Sequence, residues 1–196
     1  MKRKIILASQ SPRRKQLLEQ IGLQIEIHES EYEEDMNALD DPRELAKFLS
    51  LEKAKDVAKH YDDAIVIAGD TFTVFDGKFI GKPKNEETAK EIIRTFSGNE
   101  HYIVSGFTII DTKNDKIVND FGEAKVRFKE LSEKEINDYV NFAKDEIMGM
   151  AGAYSLLSKA APLVEGVEGD FFSVIGLPLN QIYVELKNLG VNVYDN

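Results

Sequence analysis

Two adjacent arginines near the start of the chain, Arg13 and Arg14, are the first residues whose types and spacing suggest chemistry. They follow a short apolar stretch and the turn sequence Ser9-Gln10-Ser11-Pro12. Serine is a good N-cap and proline suits the first helical position, so both arginines are predicted to lie in the first turn of a helix. The unpaired N–H groups of that turn and two guanidinium groups together match a phosphate. The alternative is a pair of solvated arginines.

Acidic side chains occur in two places where they could take a proton or bind a cation. Asp70 follows the continuous apolar stretch 64–68, which is typical of a buried strand. A carboxylate at the end of such a strand lies where open α/β sheets bind ligands, although a structural aspartate in a turn is the alternative. The five acids in residues 29–35 are typical of a solvated loop, but they also offer oxygen ligands for Mg²⁺.

Two lysines add positive charge at defined places. Lys53 lies beside the apolar stripe of a helix predicted to begin at Pro42, and it either extends along that stripe to solvent or points over a pocket. Lys82 stands in Gly81-Lys82-Pro83, which is not a P-loop because proline replaces the serine or threonine. Lys82 can therefore act only as a single point charge.

The overall charge excludes one class of partner. The chain has 25 basic and 35 acidic side chains, a formal net charge of −10, whereas a nucleic-acid binder normally has a basic surplus. The apolar stretch after Lys2-Arg3-Lys4 is far too short for a membrane span. We therefore expect a cytoplasmic protein with no nucleic-acid or membrane partner.

Cysteine is absent, which removes disulfides, thiol nucleophiles and cysteine-based metal sites. The three histidines, His28, His60 and His101, stand far apart in the sequence without the spacing of metal ligands. A histidine-centred metal site or catalytic triad is therefore not expected. Any chemistry falls to carboxylates, lysines, arginines and a bound hard cation.

The elements that must position these residues alternate between strands and helices. The hairpin sequence Asp76-Gly77 and the capping box at Ser132 support two of them. A glycine-rich segment, residues 147–178, is predicted to form short strands and turns. Strands are predicted near 5–8, 24–28, 64–68, 72–75, 79–80, 102–111 and 117–128, and helices from Pro12, Pro42, Glu86, Ser132 and Pro178. We expect one domain over residues 1–196 with a mixed sheet.

At this point a set of short blocks, in order along nearly the whole chain, resembles the Maf family. One block is weak, but several in order are specific. They are Ala8-Ser9-Gln10-Ser11-Pro12-Arg13-Arg14, Ser30 with Glu33-Glu34, Lys53-Ala54, Gly69-Asp70-Thr71, Gly81-Lys82-Pro83, Ala151-Gly152-Ala153-Tyr154 and Leu177-Pro178.

The resemblance implies a nucleoside triphosphate pyrophosphatase of the house-cleaning type, which releases a nucleoside monophosphate and pyrophosphate with the help of Mg²⁺ or Mn²⁺. It also implies a homodimer and an α/β fold similar to the inosine triphosphate pyrophosphatases, with a mixed, strongly twisted sheet, flanking helices and a cleft. The residues that it implies are Asp70, Lys82 and Lys53 for catalysis, Ser9, Arg13, Arg14 and Thr71 for substrate binding, and Glu34 and Asp70 for the metal.

Two positions depart from the family pattern. Met150 stands where the family usually has lysine, and Leu157 stands where a glutamine is tied to selection of dTTP and UTP. The preferred base, whether that of dTTP and UTP or a modified one, is therefore open. Two alternatives to a pyrophosphatase are a non-catalytic nucleotide-binding regulator of cell division and a nucleotidyl transferase.

Overall fold

The computed structural model describes residues 3–195. Strands and helices are interspersed along this part of the chain. The strands are β1 (Lys4–Leu7), β2 (Ile25–Ile27), β3 (Ala64–Phe75), β4 (Lys78–Ile80), β5 (Glu100–Asp111), β6 (Lys116–Phe128) and β7 (Val164–Gly169). The helices are α1 (Pro12–Gln20), α2 (Pro42–Ala58), α3 (Glu86–Phe96), α4 (Glu133–Ile147), α5 (Phe171–Ile175) and α6 (Leu179–Asn188).

The starts of two helices follow directly from their capping residues. At α2 the Asp41 carboxylate accepts hydrogen bonds from the backbone N–H groups of Arg43 and Glu44, at 2.8 and 3.1 Å. At α4 Ser132 and Glu135 form the predicted capping box, with each side chain accepting from the other residue's backbone N–H. These bonds satisfy N–H groups that have no partner within the helix.

The strands form a mixed sheet with the order β2-β1-β3-β5-β6-β7, and β4 pairs with β3. Strand β1 runs parallel to both β2 and β3, whereas the β3–β4 and β6–β7 pairs are antiparallel. Residues 64–68 are buried throughout, as expected for a strand covered on both faces. The predicted α/β class with a mixed sheet and flanking helices is confirmed.

Strand β3 is longer than the sequence predicted. The apolar stretch was expected to end before Asp70, but β3 continues without a break to Phe75. The reason is the hairpin at Asp76-Gly77, where both residues have positive φ and β4 pairs with the far end of β3. Asp70 consequently lies within a strand and not in a turn.

The chain divides into two compact units. The first unit comprises the residues up to Thr71, Ser105–Gly122 and the residues from Gly176 onward, and the second comprises Phe72–Val104 and Glu123–Ile175. Each has its own buried apolar cluster. The cluster of the first unit includes Ile6, Ala8, Ala54, Val57, Val66 and Ile110. The cluster of the second unit includes Ile93, Phe96, Phe128, Tyr139, Val140 and Tyr154.

The glycine-rich segment contains more helix than predicted. It has one strand, β7, and the short helix α5, and single turns of 3₁₀ helix form at Ala151–Ala153 and Ala161–Leu163. Gly152 has a φ of 77°, and a Cβ there would come within 3.0 Å of the Thr73 hydroxyl. Glycine is required at that position on both counts.

Among residues 3–195, no helix combines the length and the apolar character needed to cross a membrane. The cytoplasmic location and the single domain over residues 1–196 stay predictions.

Candidate active site

The turn between β1 and α1 presents a helix end to the site. Pro12 is the first helical residue, and the first turn of α1 contains no acid. Ser11 stands at the N-cap position as predicted, but its side chain makes no capping bond. Instead the Ser9 hydroxyl accepts the backbone N–H of Ser11 at 3.2 Å. Among the described residues no side chain caps the first turn of α1, so N–H groups of that turn are available to an anion.

Arg14 ties three segments of the first unit together. Its Nε donates to the carbonyl oxygen of Gly176, and its two terminal nitrogens donate to the hydroxyls of Ser9 and Thr71. All three donor–acceptor distances are 3.1 Å, and all three acceptors are uncharged. Within residues 3–195 Arg14 forms no ion pair, so its positive charge is not neutralised by a direct contact.

Gly69 leaves room for the Leu177 side chain, and it lies beside Arg14. A Cβ at Gly69 would lie 2.7 Å from the Leu177 side chain and 3.4 Å from the Arg14 Nε. Thr71, two residues further along β3, also shares a 2.8 Å hydrogen bond with the Ser105 hydroxyl. The position of the Thr71 hydroxyl is thus fixed from two sides.

Arg13 differs from Arg14 although the two residues are adjacent. It is partly buried, and among the described residues it makes neither a hydrogen bond nor an ion pair. Burial lowers the pKa of both guanidinium groups from the ordinary value, and at Arg14 the carboxylates of Asp70 and Glu34 oppose that shift. Desolvated positive charge without a carboxylate in contact is costly unless an anion binds there.

Beside this positive end lies a lysine shared by two carboxylates. The Nζ of Lys53 is 2.5 Å from a Glu34 oxygen and 2.8 Å from an Asp70 oxygen. The side chains of Lys53 and Asp70 are only 12% and 11% exposed, so this ion pair is shielded from water. The second Asp70 oxygen accepts the backbone N–H of Thr71 at 2.8 Å.

The carboxylates of Glu34 and Asp70 already face one cation, the Lys53 ammonium, and this arrangement indicates whether the site could hold a metal ion. Lys53 stands in for that ion, and oxygen ligands are those that Mg²⁺ and Mn²⁺ prefer. Among residues 3–195, no group of three or more histidine, aspartate and glutamate side chains could hold a metal ion. A hard cation with two protein carboxylates, water and phosphate oxygens fits this donor set.

Helix α2 carries Lys53, and a close approach to β5 sets the position of that helix. A Cβ at Gly106 would lie 2.2 Å from the backbone of Ala46, so only glycine allows the contact. One helical turn further on, the Ser50 hydroxyl hydrogen-bonds with the Thr108 hydroxyl at 3.0 Å. These contacts hold α2 against β5 and direct Lys53 toward Asp70.

Three predicted positions lie in the second unit. Lys82 is exposed just after β4 and has no hydrogen bond or ion pair within the described part of the chain. Leu157 is 51% exposed, and Met150 precedes the first 3₁₀ turn. The roles of these three residues in catalysis or base selection stay predictions.

Sequence reasoning missed Ser105, Gly106 and the carbonyl of Gly176. A serine and a glycine within a strand pattern could have signalled a close backbone approach. The Gly176 carbonyl had no such signal, because glycines are frequent throughout the segment that precedes it.

The sequence profile described as Maf-like protein matches residues 4–189. A protein of Methanococcoides burtonii named dTTP/UTP pyrophosphatase is 42% identical over 195 residues, which are 99% of this chain and 99% of that protein. Proteins of the same name from Bacillus cereus strain AH820 and Geobacillus sp. strain WCH70 are 41% and 42% identical, over 97% and 96% of this chain and 98% and 99% of the respective relatives.

Among solved structures, the Staphylococcus aureus Ham1 protein has a similar fold, with a TM-score of 0.52 and 12% identity over 95% of this chain and 100% of that chain. At this identity the likeness concerns the fold alone. The profile match, which covers nearly the whole chain, and relatives above 40% identity show the family. The chain belongs to the Maf family.

Proposed function

We propose that this protein hydrolyses nucleoside triphosphates to the monophosphate and pyrophosphate. The observation that carries the proposal is the pair of partly buried arginines at the start of α1, neither in contact with a carboxylate, next to the Lys53–Asp70 ion pair. A polyanionic substrate and a nearby base suit this arrangement. The names of the three relatives support the same reaction, with dTTP and UTP as the first substrates to test.

The two arginines have separate tasks in this proposal. Arg13 has all its donors available for phosphate oxygens, and the N–H groups of the α1 start add partial positive charge. Arg14 donates three hydrogen bonds, to Ser9, Thr71 and Gly176. Its main task is therefore to hold these residues in place beside the bound phosphates. Ser9 and Thr71 are substrate-binding residues whose hydroxyls Arg14 orients.

The reaction needs a water molecule that attacks the α-phosphorus. Asp70 accepts a proton from that water as the new P–O bond forms, and the bond from the α-phosphorus to the bridging oxygen breaks. The electron pair of that bond leaves with pyrophosphate. The N–H group of Thr71 fixes one oxygen of Asp70, and the other oxygen, which contacts Lys53, is the one that would accept the proton once Lys53 moves away.

Lys53 and Glu34 complete the proposed centre. Glu34 and Asp70 would hold Mg²⁺ or Mn²⁺, which supplies a Lewis acid for the phosphate oxygens when bound. Lys53 balances the two carboxylates and, once released from them, places an ammonium near the triphosphate. Lys82 is proposed as a further catalytic cation on the family resemblance alone, and the homodimer is proposed on the same basis.

The test is a substrate panel with product identification. Purified protein is incubated with canonical and modified triphosphates and either MgCl₂ or MnCl₂, and the products are separated by ion-exchange chromatography. We expect monophosphate and pyrophosphate in equal amounts, with dTTP and UTP among the substrates. Asp70→Asn is the matched control, because it keeps the shape of the side chain but removes the base.

The other outcomes distinguish the alternatives. Binding without turnover of any triphosphate would favour the non-catalytic regulator of cell division. Pyrophosphate released only in the presence of an acceptor would favour nucleotidyl transfer. Orthophosphate as the first product would place the attack at the γ-phosphorus and contradict the proposed reaction.

A further inference from the structure

Two histidines far apart in the sequence meet in the first unit. The ring centroids of His28 and His60 are 5.2 Å apart, and the planes are tilted by 32°. Their separation along the chain gave no indication of this contact. His28 follows β2 directly, and His60 lies just beyond the end of α2.

The His28 ring is held in one orientation. Its Nδ1 is 2.8 Å from the Tyr61 hydroxyl, and the Tyr61 ring meets it edge-on with centroids 5.6 Å apart. With Nδ1 occupied, Nε2 is the nitrogen left for a ligand. A metal-binding histidine commonly has its other ring nitrogen fixed by a hydrogen bond of this kind.

The His60 ring is exposed and, among residues 3–195, has no hydrogen bond. It can therefore turn toward His28 without losing a polar contact. The positive charge of neighbouring Lys59 is compensated, because its Nζ lies 2.6 Å from an Asp56 oxygen. The charge of Lys59 is therefore balanced by Asp56 and should not repel a cation that approaches the two rings.

We propose that His28 and His60 together bind one divalent transition-metal ion, of the class of Ni²⁺, Cu²⁺ or Zn²⁺. With metal–nitrogen bonds of about 2.0–2.1 Å, two imidazoles on one ion have ring centres roughly 4.5 Å apart at a right angle and roughly 5 Å apart at the tetrahedral angle, and these rings are 5.2 Å apart. Imidazole suits Ni²⁺, Cu²⁺ and Zn²⁺, whereas Mg²⁺ and Mn²⁺ prefer oxygen. Water completes the coordination, since the two rings supply two ligands.

Such an ion would link the end of β2 to the end of α2. The chain after His28 leads into the acidic stretch that carries Glu34, and α2 carries Lys53. The proposed ion would therefore stabilise the two segments that carry Glu34 and Lys53 without binding either residue. An ion that binds only the folded chain also stabilises it.

The experiment is a calorimetric titration of tag-free protein with NiCl₂, because Ni²⁺ favours imidazole over the oxygens of Glu34 and Asp70. We expect one Ni²⁺ per chain and an unfolding temperature that rises with NiCl₂. His28→Asn and His60→Asn should each remove this binding and this rise. Tyr61→Phe should weaken the affinity roughly tenfold while leaving the stoichiometry at one, as loss of a hydrogen bond to a ligand does.

The controls separate this site from the proposed active site. His101 remains in every variant, so a loss of binding cannot reflect the removal of all histidines. Glu34→Gln should leave the Ni²⁺ affinity unchanged, and circular dichroism without metal should be the same for all variants. Wild-type affinity in the folded His60→Asn variant, or no Ni²⁺ binding by the wild type, would overturn the proposal whatever the outcome of the triphosphate assay.

Discussion

The two units of this protein bury different kinds of side chain. The first unit buries polar and charged side chains that are paired with one another, among them Asp70 with Lys53 and Ser50 with Thr108. The second buries a cluster of rings in which Phe96, Phe128 and Tyr154 surround His101. Hydrogen-bonded and ion-paired polar groups hold side chains in defined positions, whereas packed aromatic rings bury a large apolar area. If the proposed function is correct, substitutions in the first unit should chiefly change turnover, and those in the ring cluster of the second should chiefly change stability.

The largest effect that would test this expectation is on turnover. Asp70→Asn is expected to lower the rate by roughly 10²–10⁴-fold, the usual contribution of a positioned base. The amide can still accept the Thr71 N–H, so the fold is expected to persist. Pyrophosphate release and thermal unfolding are measured on the same preparation. Near-normal turnover by the folded variant would remove Asp70 from the chemistry.

A core substitution in the second unit should show the reverse pattern. Phe96 is fully buried and stacks on His101 with ring centroids 3.9 Å apart. Phe96→Ala is expected to lower the free energy of unfolding by about 3–5 kcal/mol, measured by urea denaturation. Phe142→Ala, at a side chain that is 70% exposed and whose ring lies 4.5 Å from the Lys159 Nζ, is the control and should change it by less than about 1 kcal/mol.

For the comparison to hold, the fraction of Phe96→Ala that stays folded must keep the turnover of the wild type. A fall in turnover per folded molecule would show that the ring cluster also positions catalytic groups. A stability loss as small as that of Phe142→Ala would show that the cluster contributes little burial energy.

A smaller effect separates the two arginines within the first unit. Arg13→Ala is expected to weaken triphosphate binding by about 1.5–3 kcal/mol, the scale of hydrogen bonds to a charged group, and to leave the unfolding temperature unchanged. Arg14→Ala should weaken triphosphate binding and should also lower the unfolding temperature, because Ser9, Thr71 and Gly176 lose the hydrogen-bond donor that they share. Calorimetry with a non-hydrolysable triphosphate and thermal denaturation make the distinction. Equal behaviour of the two variants would refute the division of tasks.

The smallest effect concerns pH and the second unit. Burial lowers the pKa of His101 from 6.5 to about 3, so between these values the unfolded chain binds a proton that the folded chain does not. The free energy of unfolding should therefore fall as the pH falls through this window, by about 1.4 kcal/mol per pH unit from this group.

The matched variant for this prediction is His101→Phe, which keeps a ring against Phe96 and removes the titrating group. Urea denaturation at a series of pH values should give a shallower slope for the variant by that amount. Identical slopes would mean that the buried imidazole is protonated in the folded protein.

The sequence predicted what depends on neighbours along the chain. The cationic start of α1, the caps of α2 and α4 and the apolar stretch of β3 are all local patterns, and the structure has them. Local patterns also singled out Lys53 and Asp70, the family blocks added Thr71, and all three residues lie in the first unit. Whether those residues catalyse the reaction stays a prediction.

What the sequence could not predict depends on contacts between distant segments. The bond from Arg14 to the Gly176 carbonyl needs a backbone atom, for which no residue type is diagnostic. Asp70 was expected at the end of a strand, because the residues around it do not show that the apolar stretch 64–68 and the first strand of the predicted hairpin form one continuous strand, β3. The meeting of His28 and His60 arises only when β2 and α2 pack in the same unit.

The Lys53 contact has a consequence for how ligands cooperate. Since its ammonium already balances Glu34 and Asp70, a divalent ion entering between them must first displace it. In the proposed reaction a triphosphate would offer the displaced ammonium a new counter-charge, so ion and nucleotide should each strengthen the binding of the other. By thermodynamic reciprocity the coupling is equal in both directions, so a hard divalent ion is expected to bind between Glu34 and Asp70 more weakly without a triphosphate than with one.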